Sequence, residues 1–269
     1  MRLTARVAEA QVELAVAECH ALTGSGCLQG DPVGDRVELS MWMPATASPG
    51  AAALARHLEG AGIPAEVSEA EQDDSWRHAL RDFHQPVVAG RVRVRPPWVA
   101  PAPGFHDVVI DPGMAFGTGQ HATTRTALAL LQRIPARGPV LDAGCGSGVL
   151  AIAARRMGMG PVVAIDLDPE AVTATTRAAR ANMVDGIDVR LLRIGVDPLP
   201  GAQVLLANIT LEVLGTVAAA LRGQSPIHAV LSGLRVGEVD AAVAAFAPLG
   251  LSERERMADD GWASVRLSA

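Results

Sequence analysis

The chain has 269 residues, 49% of them hydrophobic, which is enough to bury one large core or two modest ones and gives no reason to expect disorder. Residues 1–90 carry 6 arginines against 13 acidic residues, so this region repels a phosphate backbone and either attracts a basic protein or is simply a solvated surface. Three scattered cysteines exclude a disulfide framework or a zinc site, and the lack of a signal pattern or membrane-length apolar segment predicts a cytoplasmic protein.

The first seventy residues alternate between strand and helix patterns. The segments "RLTARV", "DRVELSMWM" and "PAEVSEA" have the period of strands, whereas "EAQVELAVAECHAL" and "GAAALARHLEGAG" have helical spacing. Strand, helix, strand, helix, strand within this length predicts a small α+β domain, of the ferredoxin-like kind, over residues 1–70. A connecting region is predicted over residues 71–104, with a short helix in "DDSWRHALRDF" and a strand in "GRVRVRPPW" that two prolines stop.

From about residue 105 to residue 269 the pattern is that of an α/β domain with a doubly wound, Rossmann-like parallel sheet. Buried-strand patterns in "PVLDAG", "VVAIDLD" and "QVLLANI" alternate with helical patterns in "GVLAIAARRMG" and "PEAVTATTRAARANM". The segments "HAVLSGL" and "WASVRL" predict further strands, the latter preceded by the charged "SERERMADDG". Ligands of such sheets bind beyond the carboxyl ends of the strands, where "GCGSG", "DLD" and "NIT" fall.

Two of these strand ends have the composition of a nucleoside site. In "VLDAGCGSG" the glycines Gly144, Gly146 and Gly148 permit a tight turn on which a ligand lies against bare backbone, with Asp142 at the strand end. Asp166 follows Gly144 by 22 residues, at the end of the next strand, where a carboxylate can bind both hydroxyls of a ribose. The G-x-G-x-G spacing favours S-adenosylmethionine, with a nicotinamide oxidoreductase on the same sheet as an alternative.

The motifs also occur in the order of a known family. The segments "DPGMAFGTGQHATT", "VLDAGCGSGVLAIAA", "AIDLDPEAV", "ANIT" and "LSGL" resemble the successive motifs of the PrmA family, methyltransferases that modify the large-subunit ribosomal protein numbered eleven. The resemblance is tight from about residue 73 to residue 215 and loose elsewhere. It implies a class I methyltransferase domain at residues 105–269 and a substrate-recognition role for the acidic domain at residues 1–70.

Carried over position by position, the resemblance implies that Thr124, Gly144, Asp166 and Asn208 contact S-adenosylmethionine. Gly146 belongs to the same cofactor loop, and the stretch that contains Phe116 and Gly117 would be a flap that closes over the cofactor. His121 lies in that flap and is a candidate for a role at the acceptor amine. The alternatives are that His121 is a loop histidine bonded to backbone, that Thr123 or Thr124 caps the helix "TRTALALLQRI", and that Phe116 only packs the flap.

The predicted reaction is methyl transfer from a sulfonium to nitrogen, on lysine side chains or the N-terminal amine of a basic ribosomal protein. The side chain of Asn208 and the carbonyl of Ile209 would accept hydrogen bonds from the neutral amine and aim its lone pair. The alternatives are an N-methyltransferase for another protein or a small amine, and a cofactor-binding protein without catalysis. A monomer is expected, with no metal, no direct nucleic-acid contact and no membrane association.

Overall fold

The structure is a computed structural model that describes residues 1–24, 26–43, 45–70, 85–111, 119–135, 138–224 and 226–269. The chain divides into two compact units, Met1–Asp82 and Phe83–Ala269, each with a hydrophobic core of its own. The connecting helix predicted in "DDSWRHALRDF" and the flap positions 112–118 lie outside the described residues. The predicted division at residues 70 and 104 stays a prediction.

Within its described residues, the first unit is built on a four-stranded antiparallel sheet. Its strands are β1 (Arg2–Ala8), β2 (Leu28–Gln29), β3 (Arg36–Trp42) and β4 (Glu66–Ala70), and they lie in the order β2-β3-β1-β4. Helices α1 (Val12–Thr23) and α2 (Ala51–Gly60) pack on the face that buries Leu3, Ala5 and Val7, the alternate residues of β1. This strand order is that of a split β-α-β, or ferredoxin-like, arrangement.

The second unit contains, as far as its described residues show, a seven-stranded mixed sheet. In chain order the strands are β8 (Val140–Ala143), β9 (Val162–Asp166), β10 (Ile187–Leu191), β11 (Val204–Asn208), β12 (His228–Arg235), β13 (Ser252–Asp259) and β14 (Trp262–Ser268). They lie in the order β10-β9-β8-β11-β12-β14-β13, parallel from β10 to β12 and antiparallel beyond. The predicted Rossmann-like sheet is therefore confirmed.

Helices cover both faces of this sheet. Helices α3 (Ala122–Leu131), α4 (Val149–Arg156) and α5 (Pro169–Ala181) pack on one face, and α6 (Leu211–Ala220) and α7 (Val239–Phe246) pack on the other. Side chains of the strands alternate between the two cores, so that Val140 and Leu206 face the first group of helices and Leu141 and Leu205 face the second.

A small sheet of β5 (Val87–Ala89), β6 (Val92–Arg95) and β7 (His106–Val109) adds to the core beneath α3 and α4. The sequence placed the residues of β6 in the connecting region, but Val92 and Val94 are buried in the core of the second unit. Asn182, just after α5, accepts a hydrogen bond from the Val109 amide at 2.8 Å and donates one to the Val109 carbonyl at 2.7 Å. Its side-chain amide therefore pairs with the end of β7 as another strand would.

The charged segment before "WASVRL" is a strand, β13, which the sequence pattern did not predict. It lies at the edge of the sheet, and its charges pair with neighbours, as Glu253 with Arg256 and Glu255 with Arg266. Charged side chains on an edge strand discourage pairing with another chain. In the described part of the protein, no helix is long and apolar enough to cross a bilayer.

Candidate functional site

The loop between β8 and α4 passes repeatedly through left-handed backbone conformations. Gly144, Gly146 and Gly148 have φ angles of 76°, 54° and 80°, which residues with a side chain rarely adopt. The amides of Gly144 and Cys145 both donate to the Ile165 carbonyl, at 2.9 and 3.0 Å, and so tie the loop to β9. The loop therefore presents bare backbone at the carboxyl edge of the sheet, beside the start of α4.

Asp166, the last residue of β9, lies against this loop. Its Oδ2 accepts a hydrogen bond from the Gly146 amide at 3.0 Å, and its Oδ1 accepts one from the Asp168 amide at 3.1 Å. Each carboxylate oxygen can accept a further hydrogen bond, and the residue is only half-buried. The carboxylate is therefore held in place by backbone and still has the capacity to bind two ligand hydroxyls.

A cleft of about 1030 Å³ opens beside Asp166. Its walls come from the glycine loop, from α5 and from the chain that follows β7, and they include Gly146, Ala171, Arg177 and Asp111. Small-molecule sites in proteins have volumes of roughly 300 to 1,000 Å³. The cleft is therefore large enough for a nucleoside with an additional chain.

Asp142 and Asn208 point to the same face of the sheet. In β8 and β11, Val140 and Leu206 belong to the core beneath α3 and α4, and alternation places Asp142 and Asn208 on that side. Asp142 is 1% exposed, and its Oδ2 accepts a hydrogen bond from the Ala151 amide of α4 at 2.9 Å. Because β8 and β11 are neighbouring parallel strands, both side chains lie near the carboxyl edge.

Three buried oxygens in this region have no hydrogen-bond partner among the described residues, namely Asp142 Oδ1, Asn208 Oδ1 and Thr124 Oγ1. A buried polar group without a partner costs about 1 to 3 kcal/mol, so native proteins rarely retain several of them without a reason. Oxygens from a carboxylate, an amide and a hydroxyl together match a ligand group that carries several N–H donors, such as a primary ammonium.

Burial also changes the ionisation of Asp142. Burial raises the pKa of this carboxyl to about 7, the Ala151 amide opposes the shift, and the negative charge of Asp166 adds to it. A positive charge placed beside the carboxyl would favour its ionised form. Asp142 was noted in the sequence only as the acid before the glycines, and the structure adds it to the candidate site.

Ile209, which follows Asn208, is enclosed between two glycines. A Cβ atom at Gly144 would overlap the Cγ2 atom of Ile209, and a Cβ atom at Gly233 would lie 2.5 Å from the Ile209 carbonyl oxygen. The Ile209 amide donates to the Ser232 carbonyl at 3.1 Å. Ile209 therefore connects the cofactor loop to β12, and both close approaches require glycine.

The first turn of α3 brings His121, Thr123 and Thr124 to the same region. His121 is the N-cap of α3, since its Nδ1 accepts a hydrogen bond from the Thr123 amide at 3.4 Å and lies 2.8 Å from Thr123 Oγ1. The alternative that Thr123 or Thr124 caps the helix is therefore wrong. The geometry of His121 matches the alternative of a loop histidine bonded to nearby backbone, and its role at an amine stays a prediction.

Trp262, the first residue of β14, lies beside this turn. Its ring centroid is 4.9 Å from that of His121, with 69° between the ring planes, and the Arg235 guanidinium is 3.9 Å from the Trp262 centroid. The sequence pattern indicated only that this tryptophan begins a strand. The edge hairpin thus supplies an aromatic wall next to the first turn of α3.

Three further residues considered in the sequence analysis are Phe116, Gly117 and Cys145. Phe116 and Gly117, predicted to contact the cofactor from the flap, lie outside the described residues. Cys145 is buried, and burial raises the pKa of its thiol to about 12, which keeps it protonated and unreactive. In the part of the chain that the structure describes, no cluster of three or more His, Cys, Asp or Glu residues is arranged to hold a metal ion.

Comparison with known proteins decides the family. The family model described as Ribosomal protein L11 methyltransferase (PrmA) matches residues 43–269. The chain belongs to this family. A relative of that name from Bordetella bronchiseptica is 39% identical over 209 residues, which cover 71% of this chain and 66% of the relative. One from Pelobacter propionicus is 36% identical over 225 residues, which cover 79% of this chain and 72% of the relative.

A solved structure gives the same result. The crystal structure of a ribosomal protein L11 methylase from Lactobacillus delbrueckii subsp. bulgaricus is similar with a TM-score of 0.62 and 26% identity, over 69% of this chain and 98% of that one. The matched region spans just under two thirds, 66%, of the Bordetella relative. The predicted family is confirmed, and with it the prediction of S-adenosylmethionine as the cofactor.

Proposed function

We propose that this protein transfers methyl groups from S-adenosylmethionine to amine nitrogens, lysine side chains or the N-terminal amine, of the ribosomal protein for which its family is named. Membership of the family supports the reaction class and the substrate. The observation that carries the proposal is the set of three buried, unpaired oxygens on Thr124, Asp142 and Asn208, in the part of the chain that the structure describes.

The described residues fit the parts of this cofactor. Asp166 can accept both ribose hydroxyls while Gly146 holds it in place, and the loop at Gly144 leaves room for a chain to lie against backbone. The unpaired oxygens of Asp142 and Asn208 match the donors of an α-ammonium group, whose charge also favours an ionised Asp142. When bound, S-adenosylmethionine supplies a methyl group activated by a sulfonium.

The acceptor must first lose a proton. A lysine ammonium has no lone pair, and deprotonation at pH 7 from a pKa near 10.4 costs about 4.6 kcal/mol. Asn208 and the Ile209 carbonyl can accept hydrogen bonds from a neutral amine and fix the direction of its lone pair. Because both acceptors are uncharged, they orient the amine without stabilising its ammonium form as a carboxylate would. A partly buried site further disfavours the charged amine, because an ammonium loses more hydration energy on burial than a neutral amine does.

The first unit is proposed to recognise the substrate. Residues 1–90 have a net charge of −7, from 6 arginines and 13 acidic residues, which attracts a basic ribosomal protein and repels nucleic acid. The attraction of exposed charges weakens as salt screens them. The second unit, which holds the described site residues, is proposed to bind the cofactor and carry out the transfer.

Mass spectrometry tests the proposal directly. The full chain is incubated with S-adenosylmethionine and the purified ribosomal protein, and methylated positions are mapped by fragmentation. We expect mass increments of whole methyl groups on amine nitrogens, and a larger loss of turnover than of cofactor affinity in Asn208→Ala. Cofactor binding by calorimetry without transfer to this substrate would indicate another acceptor or a non-catalytic protein. Absence of cofactor binding would reject the proposal altogether.

A further inference from the structure

Ser232 connects the two sides of the proposed acceptor site. Its Oγ donates to the Thr123 carbonyl in the first turn of α3 at 2.9 Å, and its carbonyl accepts the Ile209 amide at 3.1 Å. Ser232 is fully buried, and it lies on the side of the sheet that faces α3. One residue of β12 therefore bonds both to the turn that carries Thr124 and to the residue that follows Asn208.

The Ser232 hydroxyl belongs to a chain of buried hydroxyls. Ser264 Oγ, from β14, lies 2.6 Å from Ser232 Oγ and 2.6 Å from Thr126 Oγ1. Thr126 Oγ1 also donates to the Ala122 carbonyl at 2.9 Å. Each hydroxyl has a single hydrogen, so Ser264 donates to one of its two neighbours at a time. The chain fastens the first turn of α3 to both β12 and β14.

Gly233, the next residue of β12, lies against the Ile209 peptide. Its φ is 82°, and a Cβ atom there would lie 2.5 Å from the Ile209 carbonyl oxygen and 2.9 Å from the Ile209 carbonyl carbon and nitrogen. A side chain at position 233 would therefore cover or displace the carbonyl that the proposed mechanism directs at the amine. Glycine leaves that side of the carbonyl open.

We propose that Ser232 and Gly233 are positioning residues for the acceptor amine. Ser232 sets the separation between the first turn of α3 and the Ile209 carbonyl, and Gly233 keeps that carbonyl accessible. The inference rests on the proposed function, because it assigns the Ile209 carbonyl to the amine. Neither residue is among the described residues that line the cleft beside Asp166. Their effect should therefore be larger on turnover than on cofactor affinity, which Ser232 can reach only through the turn that carries Thr124.

The hydroxyl chain is tested with Ser232→Ala and with the pair Thr126→Val and Thr126→Ser. Because a displacement of about 1 Å can cost on the order of a hundredfold in rate, we expect kcat of Ser232→Ala to fall roughly ten- to a hundredfold, and cofactor Kd to rise by a smaller factor because the same turn carries Thr124. Thr126→Val should lose kcat in the same direction, and Thr126→Ser should restore it. Thr176→Val is the control, since Thr176 Oγ1 donates to the Val172 carbonyl at 2.8 Å within α5 and belongs to no site.

Gly233→Ala is tested against Gly250→Ala. The two glycines have φ angles of 82° and 81°, so alanine is equally strained at both, but a Cβ at Gly250 meets nothing within 4 Å. Gly233→Ala should therefore lose kcat at unchanged cofactor Kd, and Gly250→Ala should keep it. Equal kcat in these two variants, or wild-type kcat in Ser232→Ala on a substrate that the wild type methylates, would overturn the inference and leave the proposed function intact.

Failure of the proposed function gives a different result. If the wild type transfers no methyl group to the ribosomal protein, the positioning role is judged by amide hydrogen exchange in the cofactor-bound protein. Faster exchange at both Thr124 and Ile209 in Ser232→Ala than in the wild type would support the inference. Unchanged exchange at these two amides would overturn it, whatever the substrate.

Discussion

The buried carboxyl of Asp142 should make the stability of the second unit depend on pH. Burial raises its pKa from 3.8 to about 7, with the charge of Asp166 adding to the shift and the Ala151 amide opposing it. Because the folded protein keeps this proton after the unfolded chain has lost it, the contribution to stability is complete below pH 3.8 and is lost as the pH rises towards 7. At higher pH the buried charge destabilises the fold by a constant amount.

Asp142→Asn keeps the shape of the side chain and removes its titration. Each pH unit within the window changes the free energy of unfolding by about 1.4 kcal/mol, so raising the pH from 5 to 8 should cost the wild type about 3 kcal/mol through this residue. In the variant, residue 142 does not titrate, so it should not change the free energy of unfolding between pH 5 and pH 8. Its buried amide introduces unpaired N–H groups at a cost of roughly 1 to 3 kcal/mol, but this cost is the same at every pH and cancels from the comparison.

Differential scanning calorimetry of both proteins between pH 5 and pH 8 measures the effect. For a domain of this size a change of 1 kcal/mol in the free energy of unfolding shifts Tm by roughly 2 to 4 °C. The Tm difference, variant minus wild type, should therefore increase by about 6 to 12 °C as the pH rises from 5 to 8. Asp188→Asn, which replaces an exposed carboxylate of β10, is measured beside Asp142→Asn as the control for a surface substitution. A Tm difference that stays constant from pH 5 to pH 8 would refute the reasoning.

Three further variants test the site and its support. Asp166→Ala should weaken S-adenosylmethionine binding about ten- to a hundredfold, because a charged acceptor contributes roughly 1.5 to 3 kcal/mol; an unaltered Kd by calorimetry would reject the ribose assignment. Gly144→Ala should lose cofactor binding, because the added Cβ would overlap the Ile209 side chain. Gly62→Ala is the control: Gly62 has a φ of 77°, against 76° at Gly144, but its Cβ would meet nothing within 4 Å, so this variant should bind the cofactor normally. Equal Kd values for the two variants would contradict this. Asn182→Ala should lower the free energy of unfolding by roughly 2 to 3 kcal/mol in urea, since it leaves an amide and a carbonyl of β7 unpaired; a loss below about 0.5 kcal/mol would show that water replaces both bonds.

The central strands were predictable from sequence because they are buried on both faces. The segments that form β8, β9 and β11 are short apolar runs bounded by turn residues. This pattern is typical of strands buried on both faces of a parallel sheet. The edge strands β10 and β13 carry alternating charges and are largely exposed, so their sequences resemble polar loops. Their strand conformation comes from pairing with a neighbouring strand, which no local pattern reports.

Some residues of the candidate site could likewise be predicted from the sequence, and others could not. Gly144 and Asp166 were recognisable because a left-handed turn demands glycine and a ribose favours a carboxylate at the next strand end. The roles of Ser232 and Trp262 depend on contacts made across the fold, such as the bond from Ser232 to Thr123, which are 109 residues apart. A serine in a strand and a tryptophan at the start of another carry no local sign of such contacts.

The two compact units lead to a final prediction about where the second one must begin. A chain that starts at Gly104 lacks β5 and β6, and with them Val92 and Val94, which are buried in the core beneath α3 and α4. Each buried valine contributes about 1.5 to 3 kcal/mol, so this chain should lose roughly 3 to 6 kcal/mol of the 5 to 15 kcal/mol typical of a domain and should have a much lower Tm than a chain that keeps both strands. A chain that starts at Gln85 keeps all three strands and should fold and bind S-adenosylmethionine with the affinity of the full chain.

The chain from Gln85 should nevertheless fail on the intact ribosomal protein. It lacks the acidic residues of the first unit, where 13 acids outnumber 6 arginines over residues 1–90, so the basic substrate would no longer be concentrated near the site. A short lysine peptide, which lacks most of the basic surface of the intact substrate, should be methylated equally by both chains. The advantage of the full chain on the intact substrate should shrink between low and high salt, because the attraction is screened. Methylation assays with both substrates at two salt concentrations measure this, and full activity of the shorter chain on the intact ribosomal protein would show that the first unit does not recognise it.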